Sequence, residues 1–121
     1  MCYVGTDIIE IARIEEAINR WGERFLHRIF TDSELSISRR KPQSLAARFA
    51  GKESVIKVLG TANKGISWRE IEILSDPTGK PSVSLSGRAQ VQAASLRLSN
   101  LAISLSHSRE YAVAIVIGET K

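Results

Sequence analysis

The sequence predicts an α+β fold in which a mostly antiparallel sheet carries its helices on one face. Strand-type and helix-type hydrophobic patterns follow one another over 121 residues in the order β, α, short α, α, β-β, α, β-β. Two turn signals join consecutive strand patterns, which favours antiparallel hairpins. No internal repeat, low-complexity tract or linker divides the chain, so we expect a single domain over residues 1–121.

The composition indicates a soluble globular protein. Hydrophobic residues make up 43% and charged residues 25% of the chain, which excludes a disordered or fibrous protein. No apolar run is long enough to cross a membrane, and acidic residues stand where a signal peptide would be apolar. Cys2 is the only cysteine, which excludes an internal disulfide and a cysteine-rich metal cluster. We therefore expect a cytoplasmic protein.

The net charge of +4 favours anionic partners such as phosphorylated cofactors, acidic proteins or nucleic acid. Binding to single-stranded nucleic acid usually requires aromatic residues interleaved with the basic ones. The basic residues between positions 21 and 42 show no such alternation. Nucleic acid is therefore not an expected partner.

Residues 3–11 form a pattern rich in valine and isoleucine that predicts the opening strand. Gly5 within it suggests a bulge or the close approach of another group. Asp7 is followed by Ile8 and Ile9, and a carboxylate in such a context must be paired, hydrogen-bonded or bound to a metal. The structural alternatives are that Asp7 caps the next helix or accepts backbone N–H bonds.

In residues 12–30 the hydrophobic residues recur at helical spacing, which predicts a helix, and Gly22 suggests a break within it. The predicted core-facing stripe consists of Ile14, Ala17, Ile18, Trp21, Phe25 and Ile29. The opposite face carries four arginines: Arg13, Arg20, Arg24 and Arg28. Such a face is either simply solvated or suited to docking an acidic helix.

A short helix is expected after Phe30. Thr31 is its predicted N-cap, and Glu34 three residues later completes a capping-box signature. The helix should end in the basic run 39–41 before Pro42. That basic run is either a solvated linker or a phosphate-binding segment.

Residues 44–60 predict the central helix, from a serine N-cap at Ser44 to a stop at Gly60. Its expected core stripe consists of Leu45, Phe49, Ile56 and Leu59. Glu53 falls at the edge of that stripe, and Lys57 follows one turn later. The pair is either a surface i,i+4 ion pair or part of a ligand site.

Ala46 and Ala50 flank Glu53 on the same helix, and we expect these small side chains to leave room for a ligand.

The C-terminal half begins with a polar stretch, 61–65, and continues with two predicted hairpins and a helix. The expected elements are strands at 70–74 and 82–86, a helix at 87–98, and strands at 101–106 and 111–117. His107 then lies at the tip of the terminal hairpin. A lone histidine in such a turn is most often an ordinary surface residue.

Two carboxylates and several cations together suggest chemistry on a phosphate. Asp7 and Glu53 offer the hard oxygen ligands that Mg²⁺ prefers, and Mg²⁺ commonly binds one or two carboxylates together with substrate phosphates. Lys57 lies within one turn of Glu53, where its ammonium is suited to a phosphate. His107 and Lys80 add further cationic or hydrogen-bonding groups.

Five segments, in order along almost the whole chain, resemble those of the holo-acyl-carrier-protein synthases, the short bacterial type of 4′-phosphopantetheinyl transferase. The segments are GTDIIEIARIE, FTDSEL, SLAARFAGKESVIKVLG, the IEI…DPTGKP…V hairpin and ISLSHSREYAVAIVI.

The resemblance implies transfer of 4′-phosphopantetheine from coenzyme A to a serine of apo-acyl carrier protein, with release of 3′,5′-ADP. Asp7 and Glu53 match the family's Mg²⁺ ligands, and Lys57 matches the lysine near the coenzyme A phosphates. His107 matches a histidine of the cofactor site, and Lys80 lies in a family hairpin near the cofactor. Either Glu53 or a water on the metal is suited to take the serine proton.

The resemblance also implies two protein partners. Arg13 matches the arginine that meets the acidic recognition helix of the carrier protein, and Arg20 and Arg24 extend the same surface. Family members form homotrimers with active sites between subunits, and we expect a homotrimer here.

Four residues depart from the family pattern. Thr6 stands where an apolar residue is usual, Ala17 where a bulkier one is usual, and Gly51 and Ser54 where alanines are commoner.

An alternative interpretation is a non-catalytic, basic oligomeric module that binds an adenine nucleotide or an acidic protein. It would leave Asp7 and Glu53 with purely structural roles.

Overall fold

A computed structural model describes residues 1–60 and 65–121, so most of the predicted polar stretch at 61–65 lies outside the described residues. The strands are β1 (Cys2–Glu10), β2 (Ile71–Ser75), β3 (Pro81–Leu85), β4 (Leu98–His107) and β5 (Tyr111–Thr120). The helices are α1 (Ile11–Trp21), α2 (Glu23–Ile29), α3 (Asp32–Ser38), α4 (Pro42–Leu59) and α5 (Gly87–Ser95).

The strands form two antiparallel sheets, so the predicted α+β class is confirmed. One sheet has the order β1-β5-β4, and the other is the β2–β3 hairpin. Both predicted hairpins are present. The sequence did not show that β1 pairs with the last strand, because that pairing joins the two ends of the chain.

Helix α4 packs against β1 and β5 and also contacts β2. It begins at Pro42, two residues before the predicted cap, and Ser44 lies inside the helix. Proline is suited to the first helical position because its missing N–H has no partner there in any case. The helix ends at Gly60 with φ 66°, as predicted, in the left-handed region that favours glycine.

The buried surface of α4 is wider than the predicted stripe. Leu45 and Leu59 are buried, whereas Phe49 and Ile56 are only half-buried. The predicted room beside Glu53 is wrong, because Ala46 and Ala50 are both fully buried. Their small side chains therefore fill the protein interior and leave no space for a ligand.

Gly5 is a point of close contact between β1 and α4. A Cβ atom at this position would lie 2.0 Å from the carbonyl oxygen of Ser54, so no side chain fits. The pairing of β1 with β5 is continuous from Cys2 to Glu10, which excludes a bulge. The glycine therefore lets the strand lie directly on the central helix.

Gly22 separates α1 from α2, as predicted, and has φ 56° and ψ −134°. The break at Gly22 divides the predicted core-facing stripe of residues 14–29. Trp21 ends α1 with 53% of its surface exposed, whereas Phe25 packs against the core. The capping box of α3 is present between Thr31 and Glu34. That helix ends at Ser38, before the basic run.

The three-stranded sheet buries one face against α4 and leaves the other face exposed. Five aliphatic residues of the exposed face have 38–63% of their surface accessible: Val4, Ile8, Val113, Ile115 and Ile117. The polar residues Thr6, Ser104 and Ser106 lie on the same face. Among the described residues, no helix combines the length and the apolar character that spanning a membrane requires.

Candidate active site

Asp7 lies on the face of β1 that is turned toward α4. It pairs with Ala114 of β5, which is buried on that face. Gly5, two residues earlier on the same face, touches Ser54. This contact brings Asp7 beside Glu53 and Lys57, so the structure places these three residues together.

The ammonium of Lys57 contacts two oxygens of β1. It donates to the carbonyl oxygen of Thr6 at 2.8 Å and lies 3.3 Å from Oδ1 of Asp7. The Asp7 side chain is 21% exposed and that of Lys57 52% exposed. Asp7 does not cap the following helix, because the N-cap of α1 is Glu10 and has no side-chain capping bond.

Burial raises the pKa of Glu53, and the neighbouring charge of Asp7 raises it further. The charge of Lys57 acts in the opposite direction. The two carboxylates therefore repel each other, and a cation placed between them would be stabilised.

The donor set at this position fits a magnesium ion. Asp7 and Glu53 provide hard carboxylate oxygens with a negative charge that Lys57 only partly balances. The described residues contain no group of three or more histidine, cysteine, aspartate or glutamate side chains able to hold a metal. Two carboxylates suit Mg²⁺, which leaves several positions for water and substrate phosphate.

Within one chain, His107 does not lie beside Asp7, Glu53 and Lys57. Their strands lie on either side of β5, and His107 aligns with Ala112, two residues along β5 from the partner of Asp7. Strand spacing and rise place the two Cα atoms about 12 Å apart. His107 instead lines a surface depression of about 390 Å³ together with Glu15, Pro42 and Arg109.

Lys80 lies at the turn between β2 and β3, in the other sheet. Asp76 holds this turn by accepting bonds from the backbone N–H groups of Thr78, at 2.8 Å, and Lys80, at 3.0 Å. In the described part of the chain, no hydrogen bond or ion pair joins the Lys80 side chain to Asp7 or Glu53. The structure therefore does not bring Lys80 to the carboxylates.

The three predicted docking arginines are exposed on adjoining helices. Arg13 and Arg20 lie seven residues apart on α1, which places them on one side of that helix. Arg24 follows on α2. The guanidinium of Arg20 lies 5.2 Å from the centre of the Trp21 ring.

An aromatic depression next to these arginines was not predicted. It has a volume of about 450 Å³, and its lining residues include Trp21, Arg24, Phe25, Phe49 and Trp68. The rings of Phe49 and Trp68 stack with centres 5.2 Å apart. Gly22 is a partial signal for this depression in the sequence, because it divides the predicted stripe and separates Trp21 from the core.

The sequence also missed a buried polar network behind the site. The ammonium of Lys52 lies 2.8 Å from a carboxylate oxygen of Glu34, and both side chains are fully buried. Lys52 also donates to the carbonyl oxygens of Trp68 and Ile71. Burial lowers the pKa of Lys52, and Glu34 opposes that effect.

Arg48 joins the same region from the preceding turn of α4. Its Nε donates to the carbonyl oxygen of Ile73 at 2.9 Å, and its Nη1 donates to Oγ of Ser44 at 2.6 Å. Two cations of α4 therefore anchor the side of the helix that is turned toward β2.

A comparison with protein families identifies the class of protein that this fold and site define. Residues 3–116 match the model of the 4′-phosphopantetheinyl transferase superfamily, and the chain belongs to that superfamily.

Individual relatives confirm the resemblance to the holo-acyl-carrier-protein synthases. The chain is 56% identical to the holo-[acyl-carrier-protein] synthase of Dehalococcoides mccartyi strain CBDB1, over 98% of this chain and 99% of the relative. It is 46% identical to that of Herpetosiphon aurantiacus, over 98% of each chain. The crystal structure of the Helicobacter pylori synthase in complex with coenzyme A has a TM-score of 0.87 and 32% identity, over 96% of this chain and 99% of that one.

Proposed function

We propose that this protein is an enzyme that transfers 4′-phosphopantetheine from coenzyme A to a serine of apo-acyl carrier protein and releases 3′,5′-ADP. Residues 1–121 act as one catalytic domain in the cytoplasm. The observation that carries the proposal is the grouping of Asp7, Glu53 and Lys57 where β1 crosses α4, in a chain of this superfamily. The Helicobacter pylori relative was crystallised with coenzyme A, which supports coenzyme A as the donor.

The transfer is a displacement at phosphorus. The serine oxygen attacks the phosphorus that carries the pantetheine arm, and the bond from this phosphorus to the bridging oxygen breaks. The departing 3′,5′-ADP takes the electron pair of that bond, and the serine proton passes to a base. The candidates for this base are Glu53 and a water held near the metal.

Asp7 and Glu53 would hold a Mg²⁺ ion, which when bound would supply positive charge to the pyrophosphate oxygens. Lys57 binds a pyrophosphate oxygen. His107, Arg109 and Lys80 contact other parts of coenzyme A, which is long enough to reach beyond the carboxylates.

Arg13, Arg20 and Arg24 receive the acidic carrier protein. Their exposure on adjoining helices supports this assignment, because a cationic surface steers an acidic partner and fixes its orientation. The aromatic depression beside Arg24 offers apolar anchors of the kind that provide most of the affinity in protein interfaces.

A homotrimer is the proposed assembly. The exposed apolar face of the three-stranded sheet supports association of copies, because a monomer gains nothing from leaving five aliphatic side chains in water.

The alternative of a non-catalytic binding module would leave Asp7 and Glu53 with purely structural roles, such as the ion pair between Asp7 and Lys57. It predicts no transfer of phosphopantetheine, so a transfer assay separates it from the proposed enzyme.

The decisive experiment incubates the protein with coenzyme A, Mg²⁺ and an apo-acyl carrier protein. Intact mass spectrometry should show the mass increment of phosphopantetheine on the carrier. A carrier whose acceptor serine is replaced by alanine is the matched control and should gain nothing. Absence of the increment from every acyl carrier protein tested would overturn the proposed activity.

A further inference from the structure

Lys57 contacts oxygens of two consecutive residues of β1. Its ammonium donates to the Thr6 carbonyl oxygen at 2.8 Å and pairs with Asp7 at 3.3 Å. A main-chain carbonyl and an adjacent carboxylate are hard oxygen donors, the type of ligand that binds metal cations as well as ammonium groups. The ammonium therefore lies where a cation bound to Asp7 would also lie.

Lys57 forms its ion pair with a residue of β1 and not with the acidic residue of its own helix. Glu53 lies one turn earlier on α4, at the spacing of an ordinary helical ion pair. In the part of the chain that the structure describes, Lys57 pairs within 4.0 Å with Asp7 and not with Glu53. The lysine thus leaves the surface of its own helix and reaches across to β1, beside the carboxylate pair.

We propose that the Lys57 ammonium holds the cation position at Asp7 until a divalent metal displaces it. This inference rests on the proposed function, in which Asp7 and Glu53 bind Mg²⁺ and Lys57 binds pyrophosphate. A metal and an ammonium repel each other and compete for the same carboxylate oxygen. Lys57 is free to leave because its side chain is flexible and 52% exposed.

The exchange would link two binding events through one side chain. Metal binding at Asp7 releases the ammonium, and the released ammonium becomes available to a phosphate of coenzyme A. By thermodynamic reciprocity, a phosphate that holds Lys57 away from Asp7 favours metal binding. The free protein also avoids two uncompensated carboxylates, because Lys57 partly balances them when no metal is bound.

The first test measures Mn²⁺ binding to the protein alone, by isothermal titration calorimetry, without coenzyme A. Lys57→Met should bind Mn²⁺ about 1.5- to 5-fold more tightly than the wild type, the range expected when one exposed ion pair is removed. Lys41→Met is the matched control. It removes the same charge at the start of α4, about 24 Å away along the helix, and should leave the affinity unchanged.

The second test observes the lysine itself. An amine-acylating reagent should modify Lys57 of the wild type faster once Mn²⁺ is bound, because the ammonium has left Asp7 and Thr6. Peptide mass spectrometry gives the modification rate, and Lys41 serves as the internal standard. An unchanged rate at Lys57 would overturn the exchange.

The outcomes separate this inference from the proposed function. Equal or weaker Mn²⁺ binding by Lys57→Met overturns the exchange and leaves the metal site in place. If Asp7→Asn still binds Mn²⁺ like the wild type, or no variant binds it, both the exchange and the metal assignment fail. Tighter binding by Lys57→Met in a protein that transfers no phosphopantetheine supports the exchange and overturns only the proposed reaction.

Discussion

The ammonium of Lys52 lies 2.8 Å from a carboxylate oxygen of Glu34, in an ion pair from which water is fully excluded. The pair joins α4 to α3, and Glu34 also accepts the backbone N–H groups of Thr31 at 2.9 Å and Ile73 at 2.8 Å. Lys52 precedes Glu53 in the sequence. Its anchorage fixes the rotation of α4 about its axis and thereby directs Glu53 toward β1.

Breaking this ion pair should destabilise the fold strongly. Lys52→Met leaves the Glu34 carboxylate buried without its cation, and Glu34→Gln leaves the ammonium without its anion. Each change should lower the free energy of unfolding by about 3–5 kcal/mol. The variant with both changes should lose less free energy of unfolding than the sum of the two single losses, because it leaves neither charge buried without a partner. Urea denaturation measures all four proteins, and strictly additive losses would contradict the coupling.

Glu53→Gln should retain the fold and lose most of the Mg²⁺-dependent transfer. Glutamine keeps the shape of the side chain but removes the charge that the metal requires. We expect the transfer rate to fall about 100-fold or more, at least the loss typical of changes around a metal ligand. The rate is followed by carrier mass, and circular dichroism verifies the fold. Turnover at the wild-type rate would show that Glu53 does not bind the metal.

The same change should stabilise the metal-free protein at neutral pH. Because the pKa of Glu53 is raised in the folded state, the folded protein binds more protons than the unfolded chain in the window above the ordinary value of 4.5. Its ionisation therefore reduces stability as pH rises through that window. In EDTA at pH 7, Glu53→Gln should raise Tm by about 1–3 °C, a small effect because water screens this half-buried group.

The advantage of Glu53→Gln should become small near pH 4, where the carboxyl is mostly protonated in both states. Glu110→Gln, in the exposed turn before β5, is the control and should show no such pH-dependent gain. A Tm difference that is the same at pH 4 and pH 7 would contradict a pKa of Glu53 raised by burial and by the charge of Asp7.

Local signals in the sequence predicted most of the fold. Gly22 and Gly60 end helices, Thr31 caps one, and Gly5 marks the contact of β1 with α4. Each of these features depends on backbone geometry within a few residues, so it can be predicted from residue type alone. The predicted start of α4 at Ser44 is wrong because Pro42, two residues earlier, already occupies the first turn of the helix.

Features that depend on tertiary packing were not predicted. Lys52 is a charged residue, and its burial depends on Glu34, which belongs to a different helix. The separation of His107 from Asp7 follows from the strand order β1-β5-β4, which local patterns do not define. Asp7 and Glu53 came together as expected because the family pattern carried information about that contact.

Arg13→Glu should weaken binding of the carrier protein more than binding of coenzyme A. The reversal places a negative charge on the surface that is proposed to meet an acidic partner. We expect the KM for the carrier to rise about tenfold at low salt, with little change in the KM for coenzyme A. Arg69→Glu, an exposed arginine outside α1 and α2, is the control for net charge. Equal changes in both KM values would contradict the docking surface.

Ile115→Lys should dissociate the proposed trimer. Ile115 lies between Val113 and Ile117 on the exposed face of the three-stranded sheet, so a lysine there would place a charge among the aliphatic side chains of the proposed interface. Size-exclusion chromatography with light scattering should give the mass of three chains for the wild type and of one chain for the variant.

Val91→Lys is the matched control for this experiment. Val91 is 69% exposed, more than the 44% of Ile115, but it lies on α5. Both variants gain one positive charge and lose one aliphatic side chain, so a mass change in Ile115→Lys alone would assign the interface to the sheet. A monomeric wild type, or an unchanged mass for Ile115→Lys, would contradict assembly through this face. Reduced transfer by the monomeric variant would further indicate that the active site requires a neighbouring copy.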